Sequence, residues 1–488
     1  MQLYLSGHSF QFECENICRL FFPYSPIQKI ELPLETESLF CSAVITETEN
    51  GYTYTITLSE NGKKLSSENV FPQKDEYQLT RLLFALMVEF TGYTPPWGML
   101  TGIHPVKLLH SYAQENDLIQ AQNVFRHQFF VSEKKILLAK KTLQVQAEIV
   151  DNIGENDFSL YVGIPFCPTR CSYCSFVAQS IEKSKKLIDP YFALLLKEIE
   201  KTAEVSQNLG LRLRSVYVGG GTPTTLSASQ LNLLCETVQQ NFDMSRCTEF
   251  TVEAGRPDTI TEEKLAALKE AGVGRISINP QSMSNEVLEA IGRSHQAEDV
   301  TKAFEAAKKA GITLINSDLI AGLPKDTIES FRHTLDSVLN LGATNVTVHC
   351  LALKRAASLD ELSQDIALHK QTELVNQMVD ESITRLEQDD FLPYYLYRQS
   401  RIAGNLENTG WAKKNDLCAY NIYTMDESMT VLACGAGAVS KIKDPYSNRL
   451  ERIFNFKYPT EYINRNEEIL KRKDGVAAFY EQFRKRIY

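Results

Sequence analysis

No uninterrupted apolar stretch of roughly 18 residues, the length a membrane-crossing helix needs, occurs anywhere in the 488-residue sequence. The opening Met1-Gln2-Leu3-Tyr4-Leu5-Ser6 lacks the basic and apolar regions of a secretory leader. These two absences predict a cytoplasmic protein with no membrane span. Positive charge is also in deficit. With 51 Lys and Arg against 61 Asp and Glu, the formal net charge of -10 argues against nucleic-acid binding, which needs a basic face. An anionic ligand would have to be met by a local cluster of Arg and Lys. Disorder is not indicated, because 43% hydrophobic and 23% charged residues is the composition of an ordinary globular protein. The length exceeds what one core supports, so two or three domains are expected. Eleven cysteines, an odd number, favour metal binding or buried thiols over a disulfide framework.

Three segments are expected. Residues 1–150 read as an α+β domain. Asn50-Gly51 and Asn61-Gly62 separate alternating runs, which is a hairpin signal. Helical spacing from Gln73 to Glu89 stops at Gly92, and further helical pattern runs from Val106 to Val150. From 151 to about 390 short β-rich runs alternate with amphipathic segments. The candidate strands are Ser159 to Ile164, Ser215 to Gly219, Glu249 to Glu253, Arg275 to Asn279, Thr313 to Ile320 and Asn345 to Leu351. Such a βα repeat with near-continuous apolar strands implies a parallel sheet buried on both faces. Residues 391–488 read as an α+β extension that covers the substrate.

Cys167, Cys171 and Cys174 stand as CxxxCxxC just after the first candidate strand. Three thiols at this spacing in a loop can converge on one face of a cubane cluster and leave its fourth iron open. Zinc would want a fourth ligand nearby, and neither His nor Cys follows Cys174 until Cys235. Three ordinary buried thiols are the remaining reading. Gly219-Gly220-Gly221-Thr222 follows the second strand, where glycines permit close backbone approach or simply a turn. Asp318 lies inside the apolar fifth strand, where a carboxylate is costly unless paired. His104 and His110 are candidates for an axial heme ligand, against the commoner reading of structural histidines.

The cysteine spacing and its place after the first of six repeats resemble the radical S-adenosylmethionine superfamily. Motifs from about Tyr161 to Ser440 resemble its oxygen-independent coproporphyrinogen III dehydrogenase group, and the N-terminal domain points to the HemZ-type branch. The resemblance implies an α/β fold, a partial (β/α)6 barrel between the two α+β segments. It implies a [4Fe-4S] cluster on Cys167, Cys171 and Cys174, whose open iron chelates S-adenosyl-L-methionine. Tyr161 would lie beside the nucleoside, and Gly220, Gly221 and Thr222 would receive the methionine end. Glu253, Gln281 and Arg293 match further cofactor contacts, Asp318 a ribose contact and Ala352 a backbone contact to adenine. Gly435-Ala436-Gly437-Ala438 resembles a late glycine turn of the group.

The implied reaction is oxidative decarboxylation of two propionates of coproporphyrinogen III to the vinyl groups of protoporphyrinogen IX by a 5′-deoxyadenosyl radical. Its partners would be the tetrapyrrole and a low-potential electron donor of flavodoxin or ferredoxin type. Four propionates need basic anchors, for which Arg398 and Arg401 are candidates, with Lys354 and Arg355 behind them. One departure is Phe176, where the dehydrogenases commonly carry a fourth Cys; phenylalanine there is more like the related heme-chaperone branch. A heme-binding chaperone, or a radical enzyme acting on another tetrapyrrole, is therefore the alternative.

Overall fold

The chain opens with β1 (Gln2–Ser6), α1 (Gln11–Phe21) and β2 (Gln28–Ile30), followed by the meander β3 (Phe40–Thr48), β4 (Gly51–Glu60) and β5 (Lys63–Phe71). The computed structural model describes residues 1–23, 25–32, 38–174, 176–352, 365–399 and 402–484. β3, β4 and β5 pair antiparallel, and Asn61 and Gly62 both adopt positive φ at the second turn, as a tight hairpin requires. β1 pairs parallel to both β2 and β3, giving the order β2-β1-β3-β4-β5. Helix α2 (Glu76–Thr91) is capped by the Asp75 carboxylate at one end and by left-handed Gly92 at the other. Its buried Leu79, Leu83 and Met87 pack into one core with Leu3, Tyr54 and Ile56. The helical pattern beyond Val106 resolves into α3 (Pro105–Glu115), α4 (Leu118–His127) and α5 (Glu133–Val150).

The chain divides into two compact units whose boundary falls within α5, between Lys140 and Lys141. The first unit also takes in the later stretch around Arg398, Asn405 and Glu407. There the Glu407 carboxylate is buried against the Lys135 ammonium at 2.6 Å and the Trp97 indole N–H at 2.7 Å. This buried ion pair ties residues of the late stretch to the first unit, whose boundary falls ten residues before the expected 150.

The second unit carries the βα repeat: β6 (Asp157–Ile164), the two-residue pair β7 (Phe166–Cys167) and β8 (Gln179–Ser180), α6 (Ile181–Asn208), β9 (Arg212–Gly220), α7 (Ala228–Asn241), β10 (Glu249–Glu253) and α8 (Glu262–Glu270). It continues through β11 (Arg275–Ser277), α9 (Asn285–Ala290), α10 (Ala297–Lys309), β12 (Leu314–Ala321), α11 (Ile328–Asn340) and β13 (Asn345–Cys350). Ser227, Thr261 and Thr327 cap α7, α8 and α11 by accepting from the backbone N–H three residues on, each cap worth about 1 kcal/mol. The six strands of the repeat pair in parallel in the order β6, β9, β10, β11, β12, β13, so their carboxyl ends share one rim.

After α12 (Asp365–Gln388) come β14 (Leu392–Arg398), β15 (Glu407–Ala412), α13 (Ala419–Asp426), β16 (Thr430–Cys434), β17 (Val439–Lys443) and β18 (Leu450–Phe454). These strands do not form a sheet of their own. β15 adds antiparallel to β13, and β16 adds parallel to β6, so the barrel sheet stays open and is extended at both edges. The chain from Asn408 onward therefore belongs to the same unit as the barrel sheet and extends it. Buried Glu198 on α6 fastens this edge: it accepts from the Gly435 N–H (2.8 Å), Asn455 (2.7 Å) and Tyr462 (2.6 Å), and pairs with buried Lys473 at 2.7 Å. Gly435 has φ +103, and a Cβ there would stand 2.4 Å from the Gly163 carbonyl oxygen, so the late glycine turn packs directly on β6.

Candidate functional site

Everything at the rim follows from where the parallel strands end. Cys167 closes β7 immediately beyond β6, and the loop that follows carries Cys171 and Cys174. The glycine run after β9 holds this loop in place. Gly221 N–H donates to the Ile164 carbonyl and Thr222 N–H to the Phe166 carbonyl, both at 2.7 Å. A Cβ on Gly221 would lie 2.6 Å from the Phe166 oxygen. These two amides are spent on protein, so the run first serves to seat the cysteine loop.

The three thiols meet different donors. The Thr222 hydroxyl lies 3.5 Å from the Cys167 sulfur, and an Arg256 N–H donates to the Cys171 sulfur at 3.7 Å. The Phe176 backbone N–H serves Cys174. Burial pushes the Cys167 thiol up to about 11 and raises Cys174 as well, so binding metal must displace their protons. Among the described residues no three His, Cys, Asp or Glu side chains could share a single metal ion. That geometry suits zinc poorly, whereas a cubane offers each thiolate its own iron.

Two carboxylates near the strand ends have neutral hydrogen-bond partners among the described residues. Glu253, at the end of β10, accepts from the Tyr217 hydroxyl at 2.7 Å. Asp318 on β12 is gripped by the side-chain amides of Asn279 and Asn316, each at 2.8 Å, while His349 stands 4.0 Å away. Among the described residues these carboxylates are held by amides and a phenol rather than by Lys or Arg, which suits a cationic ligand, and S-adenosylmethionine carries both an ammonium and a sulfonium. The residues present fit that cofactor. Tyr161 stacks in an aromatic layer with Tyr217 and Tyr420, whose rings lie 4.4 Å apart, and its hydroxyl borders Gly220.

Gln281 is buried at φ +67, a left-handed conformation costing a non-glycine residue about 1 kcal/mol. Its backbone bridges to β12, donating to the Asp318 carbonyl at 3.1 Å. Buried Arg293 donates to the Asn279 carbonyl (2.7 Å) and the Tyr173 hydroxyl (3.0 Å), linking the segment after β11, whose Asn279 amide grips Asp318, to the loop that holds the cysteines. Ala352 is half-buried two residues beyond β13.

Burial pushes the Glu253 carboxyl up to about 7; the Tyr217 hydroxyl opposes this, and the Asp318 charge adds to it. The folded state therefore holds this proton more tightly than the unfolded chain. The contribution is fully present below about pH 4.5 and is lost as pH rises through about 7. Glu253→Gln should consequently stabilise the cofactor-free protein at about pH 8, by at most about 2 to 3 kcal/mol, and change little at about pH 5. Thermal unfolding at both pH values checks this. A Gln variant no more stable than the parent at the higher pH would show that the carboxylate is not strained there.

Arg398 takes a different place. It is buried within the first unit, where its guanidinium donates to the carbonyls of Leu100 (2.5 Å) and Asn405 (3.0 Å) and lies over the Trp97 ring. Burial lowers it to about 10. Its donors are committed to backbone, so the reading of Arg398 as a propionate anchor is corrected to a structural one. Arg401, Lys354 and Arg355 lie outside the described residues. His104 stands at the N-terminus of α3 and His110 within it.

The sequence reading missed Arg256, Asn279, Asn316 and Tyr217. Only their places gave a signal, since each lies on or just beyond a strand of the repeat.

Comparison with known proteins agrees with this geometry. Residues 161–338 match the model of the Radical SAM superfamily. The oxygen-independent coproporphyrinogen-III oxidase-like protein HemZ of Bacillus subtilis is 38% identical over 392 residues, covering 80% of this chain and 78% of that protein. The heme chaperone HemW of the same organism is 36% identical over 212 residues, 43% of this chain and 55% of the chaperone. The solved structure of coproporphyrinogen III oxidase (HemN) from Escherichia coli, a radical SAM enzyme, shares the fold with a TM-score of 0.51 and 24% identity over 66% of this chain and 73% of its own. Radical SAM proteins use a [4Fe-4S] cluster and S-adenosylmethionine. The chain belongs to the radical SAM superfamily and, within it, to the HemZ-like group of oxygen-independent coproporphyrinogen III oxidase homologues.

Proposed function

We propose that the second unit holds the cluster on Cys167, Cys171 and Cys174 and catalyses the oxidative decarboxylation of coproporphyrinogen III to protoporphyrinogen IX. The observation that carries the cofactor part is the juxtaposition, on one rim, of the cysteine loop with two carboxylates whose hydrogen-bond partners among the described residues are neutral. The tetrapyrrole part is supported by likeness to the HemZ protein. Cluster and S-adenosylmethionine together would supply a carbon radical able to take hydrogen from a propionate side chain.

The chain's own residues bind and orient. Asp318, fixed by two amides, presents both oxygens to a ribose diol. Glu253, with its proton affinity raised, becomes a full carboxylate when a cation arrives beside it, so ligand binding and its ionisation reinforce one another. Gln281 and Arg293 fix the loops between these groups. No acid–base pair is needed for this chemistry. A low-potential donor of flavodoxin or ferredoxin type would deliver one electron for each cofactor cleavage, and the propionate radical would give vinyl and carbon dioxide by passing one electron to an acceptor.

Anaerobic, reconstituted full-length protein given coproporphyrinogen III, S-adenosylmethionine and a low-potential reductant should release carbon dioxide, 5′-deoxyadenosine and vinyl-bearing tetrapyrrole. Stable heme binding and transfer without vinyl product would overturn the reading in favour of a chaperone. The exposed Phe176 ring beside the cysteine loop, at the place where the dehydrogenases commonly carry Cys, is the feature that favours this second reading. Formation of 5′-deoxyadenosine with neither outcome would point to another substrate.

A further inference from the structure

Arg256 sits in the turn just after β10, far in sequence from the cysteines, and is 3% exposed. Its guanidinium is held on every side. The Nε and one terminal nitrogen form a two-pronged pair with Asp258, both at 2.9 Å, and that nitrogen also donates to the Ser294 hydroxyl at 3.1 Å. The other terminal nitrogen donates to the Thr169 hydroxyl at 3.1 Å and to the Cys171 sulfur at 3.7 Å. Arg293 and Tyr173 face the same sulfur, whereas the Cys167 sulfur accepts from the Thr222 hydroxyl. The polar surroundings of the three sulfurs are therefore unequal: Arg256 makes its direct N–H contact at Cys171, while Arg170 and Arg293 lie near Cys174.

We propose that Arg256 sets the reduction potential of the cluster, acting through Cys171 as a positioning residue. This rests on the reading of Cys171 as a cluster ligand. An electron added to the cluster spreads onto its sulfurs, and an N–H donor bearing positive charge stabilises that reduced state more than the oxidised one. The guanidinium cannot turn away, because Asp258, Ser294 and Thr169 occupy its remaining donors. Asp258 is partly exposed, so water screens its charge more than that of buried Arg256. The charge of Arg256 therefore acts on the sulfur with less screening than that of Asp258. Arg256 thereby makes the cluster easier to reduce by an outside donor.

The test is a redox titration of the anaerobically reconstituted full chain, followed by electron paramagnetic resonance, for the parent, Arg256→Gln and Arg256→Lys. The Gln variant should lower the reduction equilibrium constant at least tenfold, about 59 mV for a one-electron couple. The Lys variant keeps the charge and should recover at least half of that shift. A Gln variant with full iron and sulfide content and the parent's midpoint overturns the inference. Failure of both variants to hold a cluster also overturns it, by assigning Arg256 to loop architecture. A parent chain that itself holds no cluster refutes the ligand reading instead, so the two failures are distinguishable.

Discussion

Cys167→Ala, Cys171→Ala and Cys174→Ala are each expected to abolish the broad visible absorbance of a reconstituted iron–sulfur cluster, while alanine at any of the other eight cysteines leaves it in place. Burial does not separate the two sets. Cys247, outside the loop, is pushed up to about 11 just as Cys167 is, and Cys235 and Cys434 reach about 12. What separates them is their surroundings. Cys14, Cys18 and Cys41 also lie together, but in the hydrophobic core of the first unit, whereas the loop thiols have the Thr222 hydroxyl, the Arg256 guanidinium and the Phe176 amide arranged around them as donors to thiolate. Losing one ligand leaves an iron without its protein sulfur, so the effect should be near complete. Absorbance with iron and sulfide assays checks this, and full loading in any loop variant would sink the assignment.

The second large effect concerns stability. Glu198 and Lys473 are both almost wholly buried, 2.7 Å apart. Burial pushes the Lys473 ammonium down, and Glu198 outweighs it so that the net shift is upward. Lys473→Met removes the cation and leaves a buried carboxylate facing only neutral donors, which should cost roughly 3 to 5 kcal/mol. Removing both charges, Glu198→Gln with Lys473→Met, should cost less than the lysine change alone, because no uncompensated ion remains. Denaturant unfolding of the single and double variants measures the coupling. A single variant within about 1 kcal/mol of the parent would show that water reaches the site and solvates the carboxylate.

Much of the barrel was legible before any coordinates. Strands expected at Ser159 to Ile164, Glu249 to Glu253 and Asn345 to Leu351 appear as β6, β10 and β13 with ends shifted by a few residues at most. Runs of apolar, β-branched residues between amphipathic helices can be buried only as a two-sided parallel sheet. The tail was less legible. Thr430–Cys434 is buried at every position, which marks a core strand, yet nothing in five residues names β6 as its neighbour. The same gap misplaced Arg398: an arginine among tyrosines reads alike whether it meets a ligand or, as here, backbone carbonyls within the first unit.

The sequence alone determined the elements of the βα repeat and the group of three thiols, because periodicity and short spacing are local properties of a chain. Only the tertiary structure decided which distant residues serve that group. Arg256 reaches Cys171 across 85 residues, and Asn279 reaches Asp318 across 39. The strands carrying them are brought to one rim by parallel hydrogen bonding. The polarity around a sulfur or a carboxylate is set by neighbours in space, which sequence distance does not encode.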